Sequence, residues 1–127
     1  MAVDFQQFYY IIKLTYEVNR GDILEITFKT NKLEKTCTIA SETKKAYGND
    51  MAELIHRRLD QIASADTIDI LLIGRIGRCH ALHDESHNRR KRKNQYAMDL
   101  TQPYRLVFEL IDNKIQIANI VSIEDYH

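Results

Sequence analysis

The chain predicts an α+β domain in which helices cover one face of a mostly antiparallel sheet. Three observations carry that expectation. Residues 24–29 alternate apolar and polar side chains with the period of a strand. Residues 31–62 place apolar side chains three and four apart, the period of helices. From residue 79 onward the period returns to two, in three or four short segments separated by turn signals.

The leading strand comes first. Ile26 and Phe28 point one way in it, with Glu25 and Thr27 on its other side. Asn31, with Glu34 three residues later, makes a capping box. Leu33, Cys37, Ala40, Lys44 and Tyr47 then share a helical face, and Gly48 is a natural stop. Asn49 or Asp50 caps a second helix whose buried face is Met51, Ile55, Leu59 and Ile62. Two short helices and a tight turn read as an antiparallel helical hairpin. Residues 63–76 follow neither period. Ile68, Ile70, Leu71, Leu72 and Ile73 are too apolar for a free loop and are expected to pack on the sheet. Gly74 and Gly77 mark a turn between this stretch and the strands after it.

The second half is strands. Residues 79–82 make a short one, and residues 95–100 place Tyr96, Met98 and Leu100 on one face. Pro103 marks a turn, and residues 105–111 bring Leu106, Phe108 and Leu110 together. Asp112-Asn113 is a hairpin signal. Residues 115–123 close the domain with Ile115, Ile117, Val121 and Ile123 on one face. The domain is expected to span 24–127. Residues 1–23 are an N-terminal extension outside this plan, rich in Phe5, Phe8, Tyr9, Tyr10, Ile11, Ile12 and Leu14. One reading makes it an extra strand or helix. The other places the true start at Leu24, because Arg20-Gly21-Asp22 is encodable by a purine-rich, ribosome-binding-like string and Leu24 by an alternative start codon. The intact mass of the native protein separates the two.

Composition removes several classes. With 127 residues and 44% hydrophobic side chains, the chain supports one packed core. Cys37 and Cys79 are too few for a disulfide scaffold or a four-cysteine zinc site, and read as reduced thiols of a cytoplasmic protein. The longest apolar runs, residues 8–14 and 68–73, are broken by Lys13 and Asp69 and fall short of a membrane span. A basic, cleavable leader is absent from the N-terminal sequence.

The neutral total of 18 basic and 18 acidic residues hides an asymmetry. Residues 75–105 hold Arg75, Arg78, Arg89, Arg90, Lys91, Arg92, Lys93 and Arg105 against only Asp84, Glu85 and Asp99. That segment is +5 and the remainder −5. His80, His83 and His87 fall in it too. Arg89, Arg90, Lys91, Arg92 and Lys93 suit the phosphates of a polyanion such as RNA. The plain alternative is a solvated basic loop. The three histidines also admit a metal site, though without cysteine support.

Three strings carry a resemblance: Gly77-Arg78-Cys79-His80-Ala81-Leu82, Gln95-Tyr96-Ala97-Met98-Asp99-Leu100 and Pro103-Tyr104-Arg105-Leu106-Val107-Phe108-Glu109. With the final Asp125-Tyr126-His127 and the leading residues 24–34, they resemble the HigB-type toxins of the RelE/ParE superfamily over about residues 24–127. The resemblance implies a RelE-like fold: a leading strand, a helical hairpin, then a curved, mostly antiparallel sheet of three to four strands. It implies a type II toxin–antitoxin toxin, an mRNA interferase that cuts mRNA on the ribosome and inhibits translation. It implies a HigA-type helix-turn-helix antitoxin as partner, and no metal or other cofactor.

Carried onto this chain, the motif selects His80, Arg105, Asp125, Tyr126 and His127. Metal-free cleavage needs a base for the 2′-hydroxyl, an acid for the departing 5′-oxygen and cations for the phosphorane. Histidine suits both proton transfers, and the planar fork of arginine suits the phosphorane. His80 and His127 share acid and base, with Asp125 a rival base or orienting partner, and Tyr126 stacks on a base or donates a hydrogen bond. The chain departs from the family between Leu82 and Gln95, where the connection is longer, basic and without glycine. Residue pattern alone leaves other readings open. His80 is then a strand residue bonded to backbone, Arg105 a partner for Glu109 or Asp99, and His127 a frayed end. A gyrase inhibitor of the ParE kind and a non-catalytic RNA- or antitoxin-binding relative are the rival functions.

Overall fold

A computed structural model of the chain describes residues 25–83, 91–111 and 117–125. The segments 1–24, 84–90, 112–116 and 126–127 lie outside the described residues, and with them the extension, the Asp112-Asn113 turn and Ile115. The order is β1 (Glu25–Phe28), α1 (Asn31–Thr38), α2 (Ala40–Tyr47), α3 (Asn49–Ser64), α4 (Ile68–Ile73), a single 3-10 turn (Ile76–Arg78), β2 (His80–His83), β3 (Lys91–Asp99), β4 (Tyr104–Leu110) and β5 (Ile117–Asp125). One five-stranded sheet has the order β1-β5-β4-β3-β2. β1 runs parallel to β5, and every other pair is antiparallel. The α+β plan therefore stands, with a mixed sheet of five strands. No helix among the described residues is long and apolar enough to cross a membrane.

The helical part differs from a two-helix hairpin. The first helix breaks at Ile39, which is extended at φ −102° and ψ 108°. Thr36, Thr38 and Ile39 are β-branched and stiff at χ1, so they propagate a helix poorly. Thr38 also donates its hydroxyl to the Glu34 carbonyl at 2.7 Å, a back-bond that bends helices. The buried Thr43 hydroxyl bridges the break, donating to the carbonyl of Thr36 and lying 3.3 Å from that of Ile39. The cap of α1 is Thr30, whose hydroxyl accepts from the Leu33 amide at 3.1 Å. Asn31 is already helical, so the expected box with Glu34 does not form.

α3 is the long helix, with 16 residues. It buries the expected Met51, Ile55, Leu59 and Ile62, none more than 1% exposed. Each such side chain contributes about 1.5–3 kcal/mol of burial. They pack on Ile26, Met98, Leu106, Phe108 and Ile120 from the sheet. The unassigned stretch forms α4, which sends Ile68 and Leu71 into that core and leaves Ile70 and Ile73 exposed.

The sheet has a second face, away from the described helices. There Leu82, Ala97 and Val107 make a small buried cluster with Val121 against it. Val121 is the extra residue of a bulge, because Val107 pairs Ser122 while Phe108 pairs Ile120. That bulge overturns the expected single face for Ile117, Val121 and Ile123. Ala118 and Ile120 are buried in the main core, and Ile123 packs against it. Val121 packs on the opposite side.

Candidate functional site on the second face of the sheet

The register assigns the second face row by row. His80 pairs Ala97, Ala97 pairs Val107, and Val107 pairs Ser122. In the next row Asp99 pairs Arg105, and Arg105 pairs Glu124. Residues in register share a face, and residues two apart on a strand share it too. His80, Asp99, Arg105 and Glu124 therefore stand on one surface. Two strand spacings and a two-residue offset put the Cα atoms of His80 and Arg105 about 12 Å apart.

The second row carries alternating charge. The Arg78 Nε lies 3.0 Å from the Asp99 Oδ2, and the Arg105 Nη2 lies 3.2 Å from the Glu124 Oε1. Ser122 donates its hydroxyl to Glu124 at 3.0 Å. Arg105 and Glu124 are half-buried, with side chains 18% and 28% exposed, so this pair is better shielded than a surface bridge. Arg58 on α3 donates from Nε to the Asp99 carbonyl at 2.7 Å and from Nη1 to the Gln61 Oε1 at 2.9 Å. Burial and the neighbouring Arg57 hold the Arg58 pKa below the usual arginine range, and Asp99 opposes them.

His80 is exposed, and its Nδ1 lies 2.8 Å from the Arg78 carbonyl oxygen. The backbone behind it is sharply turned. Arg75, Gly77 and Arg78 all have positive φ, at 49°, 59° and 54°. The preceding Cys79 is buried, and burial pushes its thiol up to about 12, so it stays protonated and is no nucleophile.

Asp125 takes a different position from the one its sequence neighbours suggest. It pairs Tyr104, whose ring packs on Tyr47 of α2 with centroids 5.1 Å apart. Asp125 therefore belongs to the helix side of the sheet, at its end, and Glu124 takes the place beside Arg105. The bulge at Val121 makes this exchange, since one extra residue inverts the alternation after it.

Among the basic residues, Lys91, Arg92 and Lys93 begin β3, and Lys91 pairs His83 of β2. Arg89, Arg90, Tyr126 and His127 lie outside the described residues, as does His87. No three metal-ligating side chains converge among the described residues. A groove of about 260 Å³ between α1 and β5, lined by Leu33, Thr36, Tyr47, Val121 and Ile123 with Thr30 and Lys32, offers no histidine or carboxylate. Arg58 and Glu124 are the site residues that sequence reasoning missed. Arg78 stood there as part of the basic segment, and Asp99 as a partner for Arg105, whereas Arg105 ion-pairs with Glu124 and Asp99 with Arg78. No protein-family model matches the chain, and no curated protein matches it either.

Proposed function

We propose that this chain is the toxin of a type II toxin–antitoxin system, a ribosome-dependent endoribonuclease of the HigB type with the RelE-like form of the α+β fold. One observation carries the reading beyond the sequence strings. His80 and Arg105, selected from different strands, stand on the same face of the sheet, opposite the described helices and beside the strand that begins with Lys91, Arg92 and Lys93. A polyanion lying on that face meets a proton-transfer group and a planar cation together.

In this reading His80 and His127 divide the proton transfers. One removes the proton of a 2′-hydroxyl, whose oxygen attacks the adjacent phosphorus. The other protonates the 5′-oxygen as its bond to phosphorus breaks. The products are a 2′,3′-cyclic phosphate and a free 5′-hydroxyl. Arg105 stabilises the phosphorane, and Arg89, Arg90, Lys91, Arg92 and Lys93 bind phosphates. Asp125, on the helix side, is less well placed for the base role than His80. The protein acts in the cytoplasm, where a HigA-type helix-turn-helix antitoxin neutralises it. Ile70 and Ile73, exposed on α4, suit part of that contact.

A second reading has support of its own. The row Arg78, Asp99, Arg105 and Glu124 sums to zero charge, and Arg105 is already paired. That favours a non-catalytic relative that binds RNA or an antitoxin without cutting. The test is to incubate purified protein with programmed ribosomes and with naked mRNA, and to map new 5′-hydroxyl ends. A DNA supercoiling assay runs beside it. New ends confined to the ribosomal sample support the nuclease. Absence of ends with inhibited supercoiling selects the gyrase inhibitor, and absence of both selects the silent binder.

A further inference from the structure

We propose that Arg78 is a positioning residue for His80: its left-handed backbone aims a carbonyl at Nδ1, and its ion pair with Asp99 anchors that turn. The inference deepens the nuclease reading and rests on it for its chemical meaning. A carbonyl oxygen only accepts hydrogen bonds, so the 2.8 Å contact requires the proton on Nδ1. In the neutral ring Nε2 then carries the lone pair. His80 is exposed, so that lone pair is available to a ligand. This assigns the base to His80: Nε2 takes the 2′-hydroxyl proton, while Nδ1 keeps its own.

The surroundings explain how such a contact is held. A non-glycine residue avoids positive φ unless its neighbours impose it. Arg78 has φ 54°, and Arg75 before it has φ 49°. Three contacts impose the turn. The Arg78 amide donates to the Arg75 carbonyl at 3.0 Å, and the Cys79 amide donates to the Ile76 carbonyl at 3.0 Å. The Arg78 guanidinium reaches across to Asp99 at 3.0 Å. Asp99 is itself tied to α3, because Arg58 donates to its carbonyl. A chain of contacts thus runs from the core helix through Asp99 and Arg78 to the imidazole.

The test uses the full-length protein, labelled with nitrogen-15. Long-range proton–nitrogen spectra distinguish the two neutral imidazole tautomers, and His80→Gln assigns the His80 signals by their loss. The expected result is a His80 ring protonated at Nδ1, against the usual preference of free imidazole for Nε2. A net hydrogen bond of this kind shifts the tautomer ratio by roughly threefold to tenfold. Asp99→Ala, which removes the acceptor together with the charge, should return the ratio part of the way towards the free value, with a folded spectrum elsewhere. A wild-type ring protonated at Nε2 would overturn the inference, and an Asp99→Ala ring with the parental tautomer ratio would overturn the anchoring. The spectra need no RNA. An Nδ1-protonated ring in a protein that cuts nothing therefore sustains the geometry and rejects the nuclease reading alone.

Discussion

Replacing Gly77 with alanine tests the junction between the core helix and the second face of the sheet. Gly77 has φ +59°, and an added Cβ would lie 2.9 Å from the Arg58 Nε, 3.0 Å from its Cζ and 3.0 Å from the Met98 Cε. The left-handed backbone alone costs an alanine about 1–2 kcal/mol. Met98 ends in a flexible methyl and yields cheaply. The guanidinium yields only by leaving the Asp99 carbonyl, a charged hydrogen bond of 2.7 Å worth about 1.5–3 kcal/mol. The total expected loss for Gly77→Ala is about 2.5–5 kcal/mol, measured by urea unfolding. The decisive comparison is a double-mutant cycle with Arg58→Ala. In that background the clash is gone, and Gly77→Ala should cost only its backbone share. Equal penalties in both backgrounds would refute the claim that Gly77 exists to admit the Arg58–Asp99 contact. Gly48 is the control: its φ is +97° and nothing lies within 4 Å of its added Cβ. Gly48→Ala should therefore cost the same in the parent protein and in the Arg58→Ala background.

Three other expectations rest on burial and pairing. Thr43→Val keeps the side-chain shape but strips the Thr36 carbonyl of its donor across the α1–α2 break, so urea unfolding should show a loss of about 1–3 kcal/mol. Cys37 is pushed from 9.0 to about 12, by burial first and then by Glu34, and Cys79 from 9.0 to about 12 by burial. The folded state keeps these protons while the unfolded chain releases them, so their stabilisation is complete below pH 9 and is lost as pH rises towards 12. Unfolding titrations should show a slope of about 1.4 kcal/mol per pH unit for each thiol in that window, reduced in Cys37→Ala and Cys79→Ala. Glu124→Gln removes the half-buried partner of Arg105 and should cost about 1 kcal/mol in stability. The same change makes the row net positive, so RNA filter binding should tighten with a steeper salt dependence.

The parts of the fold legible in the sequence were those governed by one period. Met51, Ile55, Leu59 and Ile62 repeat at four, four and three, and all are buried. Met98, Leu100, Leu106, Phe108 and Leu110 alternate, and all reach the main core. The misread parts are where two local preferences compete. Thr30 and Asn31 are both good caps, and the earlier one won. The break at Ile39 leaves the spacing of apolar residues almost unchanged, so periodicity does not reveal it. The bulge at Val121 carries no glycine to announce it, yet it exchanges Glu124 and Asp125 between faces. For the site, a motif string picks out His80 and Arg105, and register puts them together. The Arg58–Asp99–Arg78 chain joins residues up to 41 positions apart, which only the folded register brings into contact.

The most direct test of the account is ribosome-dependent cleavage by His80→Ala. His80 is exposed and gives up one hydrogen bond to the backbone, so the variant should stay folded, with a melting temperature within a few degrees of the parent protein. The parent should produce new 5′-hydroxyl ends on ribosome-bound mRNA, and the variant should produce none at the same concentration. The same ends, made at the parental rate by a folded His80→Ala protein, would contradict the account.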